Sequence, residues 1–361
     1  MLKLLKHIAC ILALLAVSLP AWAEQSAETK DFDVKKVIFS HIGDSYGWHI
    51  TTWGDTHVTV PLPVIAYSRE SGWNFFMSSK LHEGEYHGFH VAQGGKYDGK
   101  LVELNAAGEE VRPLDFSLTK NVTALLINTL IMLGLVLGVA RWYGKRPAHS
   151  VPKGFAGAME MFVMEINDNL IKPCIGRGYE RYAPYLLSAF FFILINNLMG
   201  LLPFFPGGAS TTGNIAITMV LALCTFLAIN LFGNKEYWKE IFWPEVPVWL
   251  KVPIPLMPAI ELFGVLTKPF ALMIRLFANM MAGHAIILSL TCLIFLTVSM
   301  GPAVNTGMSA VAVLMSIFMF FLELLVACIQ AYVFTMLSAV FIGLSRPEAH
   351  HKPKTQKLET K

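Results

Sequence analysis

Apolar residues in this chain gather into long uninterrupted runs. Three of them, residues 122–140, 184–205 and 214–233, have the length that crosses a bilayer, since about 30 Å of hydrocarbon takes roughly 20 helical residues. Two more, 258–300 and 303–344, are about twice as long and contain no polar stretch at which the chain could turn back. A single helix of that length measures on the order of 63 Å. Fitting it into a bilayer takes a tilt near 60°, beyond the ordinary range of about 0–40°. The pattern therefore predicts an all-α polytopic membrane domain over residues 118–345 with five membrane-crossing helices, the last two a long, steeply tilted hairpin. Two ordinary spans folded from each long run are the alternative. Residues 155–171 mix acids with apolar residues and predict an interfacial helix on the inner side.

Upstream of residue 118 the pattern changes. Residues 24–117 are polar and Gly-rich, with short alternating stretches at 57–61 and 100–104 and turn signals at Gly94-Gly95 and Asp98-Gly99. This predicts a small β-rich N-terminal domain. Its histidines, His41, His49, His57, His82, His87 and His90, match no defensible ligand spacing and read as surface or turn residues. Residues 1–23 combine a basic start, an apolar run from Ile8 to Leu19 and small residues at Ala21 and Ala23, the pattern of a cleaved signal peptide. Cleavage before Glu24 leaves the domain exported and the mature N-terminus periplasmic. The charge bias agrees: the short segments 206–213 and 301–302 lack Lys and Arg, whereas 141–181, 234–251 and the tail 346–361 are rich in them. By the positive-inside rule the C-terminus is cytoplasmic and the chain is a multi-pass protein of a bacterial inner membrane.

Composition sharpens this. Of 361 residues, 55% are hydrophobic and only 15% charged, against about 25% charged in soluble domains, and the mean hydropathy is +0.54. The net charge of +3 excludes the bulk basicity that binds nucleic acid without sequence preference. Five scattered cysteines give neither a disulfide framework nor a metal spacing.

Ionisable groups inside membrane helices are expensive and usually functional. Here they are Glu261, Lys268, Arg275, His284 and Glu323, with the amides Asn196, Asn197, Asn214, Asn230, Asn279 and Gln330. Arg275 is the most informative, because a guanidinium cannot escape burial by losing its proton. Its helical neighbours Ala271, Leu272, Ala278 and Asn279 are not acidic. Glu261 shares its face but lies about 21 Å away along the axis. The counter-charge is therefore expected on another chain, with Ala271, Ala278 and Ala282 leaving room for a close approach. His284 points to the opposite side of the same helix. Glu323 and Gln330 share a face of the last helix, so a hairpin is expected to bring Gln330 towards Arg275 and Glu323 towards His284. A His–carboxylate pair suits proton transfer near neutral pH, whereas an obligate cation blocks it. The plainer readings are a hydrogen-bonded structural histidine, a snorkelling Lys268, and an Arg275 paired with a neighbouring span or serving an anion site in a transporter.

The run Leu266-Thr-Lys-Pro-Phe-Ala-Leu-Met-Ile-Arg275-Leu-Phe-Ala-Asn279-Met-Met-Ala-Gly283-His284 closely resembles the signature of the subunit a family of F-type ATP synthases, and Gln330-Ala-Tyr-Val-Phe resembles its second signature. The resemblance extends in topology over roughly residues 115–345. It implies that Arg275 is the stator arginine facing a rotor ring of c subunits, with Asn279 and Gln330 beside it. His284 and Glu323 match the outer half-channel pair, and Glu261 an acid of the inner one. Implied partners are the c-subunit ring, the b-subunit peripheral stalk, the other synthase subunits and the lipid bilayer. The implied role is a non-catalytic proton-translocating subunit without cofactor or metal. No Gly-rich phosphate loop appears in the chain. Two departures stand out: His284 and Glu323 are exchanged relative to many bacterial members, and Gly200 stands where many carry an acid. A self-contained proton-coupled secondary transporter is the competing reading, but internal repeats are not evident.

Overall fold

The computed structural model describes residues 34–346 except 54–55, 70, 83, 93, 106–108, 148–150, 203–206 and 243–255. The expected signal peptide and all of the expected tail beyond Arg346 lie outside the described residues.

The N-terminal region opens with helix α1 (Val34–Ile42), followed by the hairpin β1 (Gly47–Trp53) and β2 (Thr56–Pro61). Next come β3 (Pro63–Ser68), β4 (Gly72–Met77), the single turn α2 (Ser79–His82), β5 (Phe89–Val91), β6 (Leu101–Leu104), β7 (Glu110–Val111) and β8 (Leu114–Asp115). Among the described residues three small antiparallel sheets result, in the orders β1-β2, β4-β3-β8 and β5-β6-β7. Strand β3 alternates half-buried and buried positions along its length. Its inward Val64 and Ala66 pack with Tyr46, Phe76, Phe89 and Leu101 into a small core. Burial and a hydrogen bond to Asp115 push the Tyr46 phenol well above its ordinary pKa, so it stays a neutral donor. The histidines are scattered: His87 occupies a turn at φ 52° and His90 sits 3.4 Å from Glu110.

The membrane region begins with α3 (Lys120–Gly144), then α4 (Phe155–Ile166), a π turn at Asn167–Ile171, α5 (Lys172–Ile175), α6 (Ala183–Leu201), α7 (Ile215–Leu231), the amphipathic α8 (Lys235–Phe242), α9 (Leu256–Leu296) and α10 (Pro302–Leu344). The helix expected over residues 155–171 is present, its last turn widened to a π turn at Asn167–Ile171 that continues directly into α5. Among the described residues four helices are long and apolar enough to cross a membrane, and α7 is a shorter apolar helix. This is a multi-pass membrane protein. The two long runs are indeed single helices, of 41 and 43 residues. Pro269 lies inside α9, where it forfeits one backbone hydrogen bond without ending the helix. A 3-10 turn at Thr297–Met300 leads to Gly301 at φ 100°, a value that favours glycine, and Pro302 starts α10 with its fixed φ.

The chain divides into two compact units. One holds the N-terminal region to Ala124 together with Met281–Glu323, and within it the Thr297 hydroxyl bonds Asn305 at 2.9 Å across the turn. The other holds the remaining helical segments. Its core includes Leu186, Ile193, Leu272, Leu276, Phe334 and Ile342. There Asn279 meets Gln330 and Lys268 meets the Phe341 ring. Eleven residues back along α9 correspond to eleven forward along α10, so these segments pair antiparallel.

Candidate functional site

The unit with Met281–Glu323 contains an intramembrane acid–histidine pair. His284 Nδ1 lies 2.6 Å from Glu323 Oε1, with side-chain exposures of 19% and 4%. The approach depends on a missing side chain: a Cβ built at Gly283 would stand 2.7 Å from Glu323 Oε1 and 2.8 Å from its Cδ. Glycine here makes room for the carboxylate beside the imidazole. A buried carboxylate is costly unless compensated, and the imidazole offers both a proton and a counter-charge.

In the other unit, Arg275 lies on an exposed strip of α9 with Ala271 and Ala278. Among the described residues no carboxylate pairs with it. One turn on, the Asn279 amide donates to Gln330 Oε1 at 2.8 Å. Gln330, expected towards Arg275, is held by Asn279 one helical turn from that arginine. Glu261 is half-buried four residues before the buried Val265. Tyr237 of α8 is buried in the same apolar cluster as Val265. Burial raises its phenol pKa, with the charge of Glu261 adding to the shift, and its hydroxyl has no hydrogen-bond partner among the described residues. Lys268 sets its ammonium 5.6 Å from the centre of the Phe341 ring.

A second polar assembly in this unit went unrecognised in the sequence. Asn128 of α3 donates to Asn196 Oδ1 at 3.0 Å, and Thr211 donates to the same oxygen at 2.8 Å. Thr212 donates to Asn197 Oδ1 at 2.7 Å, while the Asn197 amide reaches the Ala327 carbonyl at 3.3 Å. Asn196, Asn197, Thr211 and Thr212 are all buried. Asn128 is an amide within an apolar run, a signal that was there to find. Residues 206–213 read as an outer loop, yet Thr211 and Thr212 are fully buried. Beside them is Gly200, where a Cβ would meet the Ala209 carbonyl, Ser210 Cα and Met280 Cε at 3.6–3.8 Å, ordinary contact distances. The side-chain oxygens of Asn128 and Ser210 are buried without partners among the described residues.

Sequence comparison matches residues 123–343 to the family ATP-synt_A, described as ATP synthase A chain. The chain belongs to the ATP synthase A chain family. It is similar to proteins named ATP synthase subunit a from several bacteria. The Chloroherpeton thalassium protein is 40% identical over 272 residues, 73% of this chain and 77% of its own. That of Chlorobium phaeobacteroides is 43% identical over 306 residues, covering 76% and 86%. That of Myxococcus xanthus is 39% identical over 289 residues, covering 76% and 89%. Residues 37–116 match a separate family described only as a domain of unknown function, DUF8433. Within the A chain family match lie Arg275, Asn279, His284, Glu323, Gln330, Glu261 and the Asn128–Asn196–Thr211 assembly.

Proposed function

We propose that the protein is the stator proton-channel subunit of an F-type ATP synthase, with its mature N-terminus periplasmic, its C-terminus cytoplasmic and five helices crossing the inner membrane. Protons enter from the outside through a polar half-channel containing His284 and Glu323. They neutralise a carboxyl on the ring of c subunits, and the neutral group then turns into lipid. On its return the group loses its proton to the inner half-channel, near Glu261, because Arg275 stabilises the ionised form. The same fixed charge bars direct leakage between the half-channels. Asn279 holds Gln330 beside that arginine. The chain itself is not catalytic, and nucleotide chemistry falls to other subunits.

The observation that carries this reading is an exposed guanidinium on an apolar helix, on a strip with alanines and without an acid among the described residues. An anion brought by a neighbour satisfies it. Each proton returns about 2.3 kcal/mol per 100 mV, so rotation must collect several for each ATP. The test is Arg275→Ala in the assembled complex. Proton-driven ATP synthesis is expected to vanish while the complex still forms, and normal synthesis overturns the assignment. Purification in mild detergent is expected to bring down a small hairpin proteolipid carrying a membrane carboxyl and the b-subunit stalk. Isolation as a stable solitary transporter contradicts the reading.

A further inference from the structure

The β4-β3-β8 sheet is apolar on both faces. Its inner face builds the small core through Val64, Ala66 and Phe76. On the outer face Trp73, Phe75, Met77, Leu114 and Phe116 are exposed by 58%, 70%, 43%, 62% and 58%. They form one patch, not scattered residues: the Trp73 ring centre lies 5.2 Å from that of Tyr67, 6.2 Å from that of Phe75, on which it stacks, and 5.8 Å from that of Phe116. A contiguous aromatic face of this kind marks a binding surface.

Chain continuity identifies what it binds. Strand β8 runs into the membrane helix α3 with four residues between, and those residues stay bonded to the domain. The Leu118 amide donates to Pro63 O at 3.1 Å and the Lys120 amide to Ser45 O at 2.8 Å. The Asn121 amide donates to Asp44 Oδ1 at 3.1 Å, and Lys120 Nζ to His41 O at 3.2 Å. The sheet is thus tied to the first turn of a span. Met77 pairs with Pro63 on the rung nearest that span, Phe75 with Ile65 on the next, and Trp73 with Tyr67 beyond. At about 3.3 Å per residue the patch extends some 13 Å from the nearest rung, about twice the roughly 5–7 Å that headgroups occupy outside the hydrocarbon, so a sheet inclined to the surface brings the whole patch into that zone. The C-terminal end of α1 is bound at the same level through His41. That helix carries the basic Lys35 and an exposed Phe39, 63% accessible, the composition of a helix lying in a membrane surface. Trp and Tyr favour the same zone.

We propose that the N-terminal domain is a membrane-surface foot: the Trp73–Phe75–Met77–Phe116 face and Phe39 bed into the interfacial zone of outer-leaflet phospholipid, bracing the first turn of α3. This goes beyond the channel assignment and rests on the proposed periplasmic N-terminus and on α3 crossing the bilayer.

The test replaces Phe75 with photoreactive benzoylphenylalanine in the assembled complex in native membranes. Irradiation is expected to yield phospholipid adducts at position 75 and none at the exposed Glu109. A crosslink to another polypeptide, including a second copy of this chain, or the absence of any adduct, overturns the proposal. Should the variant not assemble, wild-type complex is compared with Trp73→Phe in bilayers of phospholipid brominated near the headgroup. The Trp73 difference emission is expected to drop about twofold or more, and unquenched emission overturns the proposal equally.

Discussion

Substituting Gly283 by alanine tests whether the His284–Glu323 contact works as part of the proton path. The added Cβ would lie 2.7 Å from Glu323 Oε1, 2.8 Å from Cδ and 3.1 Å from Cγ. Non-bonded heavy atoms settle near 3.5 Å or more, so the carboxylate must retreat by roughly 1 Å. The group that yields is the end of a flexible side chain, so the fold survives, but the 2.6 Å ion-pair contact to His284 Nδ1 opens towards ~3.6 Å. With an effective dielectric near 20, the Coulomb attraction of the charged pair weakens by about 2 kcal/mol. That is about 20-fold in the equilibrium that lets a proton pass between them. The assay is ATP-driven proton pumping in inverted membrane vesicles, paired with native gel electrophoresis of the complex. Pumping is expected to fall by about tenfold or more with assembly unchanged. Wild-type pumping would refute a role for the close contact. Loss of assembly would refute the argument that only a side-chain terminus has to move.

Exchanging the pair, His284→Glu with Glu323→His, keeps opposite partners at the same two positions. The double variant is expected to pump faster than either single variant, each of which sets two like groups face to face; equal loss in all three would remove the pairing argument. Gly343→Ala drives a Cβ into the backbone carbonyl of Cys174, which cannot swing aside, so the complex is expected to be missing from native gels, whereas Gly200→Ala meets only ordinary contacts and is expected to assemble normally. Asn197→Leu removes the acceptor of the buried Thr212 hydroxyl and the donor to the Ala327 carbonyl. It is expected to cost on the order of 1–3 kcal/mol for the stranded Thr212 hydroxyl, the Ala327 carbonyl keeping its helical bond, seen as a lowered melting temperature of the purified complex.

The long helices were legible in the sequence because their cause is local. Forty consecutive residues without a polar break cannot expose backbone amides to hydrocarbon, so α9 and α10 had to be helices whatever surrounded them. The chemistry of the site was legible for a related reason: Arg275, His284 and Glu323 stand out against an apolar background that makes each charge costly. Residue spacing also brought Glu323 to the level of His284. Partners fixed by distant chain segments were not legible. Gln330 went to Asn279 because the packing of α9 against α10 decides which amide lies within reach. Asn128, Asn196 and Thr211 come together from three separate segments, and nothing local distinguishes Thr211 in a loop exposed to water from Thr211 fully buried. The outward aromatic face of β4 was equally hidden. In Gly72-Trp-Asn-Phe-Phe-Met both alternate positions carry apolar residues, so the pattern cannot tell which side meets the core; only pairing with β3 and β8 decides that Phe76 turns in and Trp73, Phe75 and Met77 turn out. Sequence determined which segments leave water and which charges follow them, since transfer free energy belongs to each residue. Tertiary structure decided which groups touch, since contact is a property of pairs.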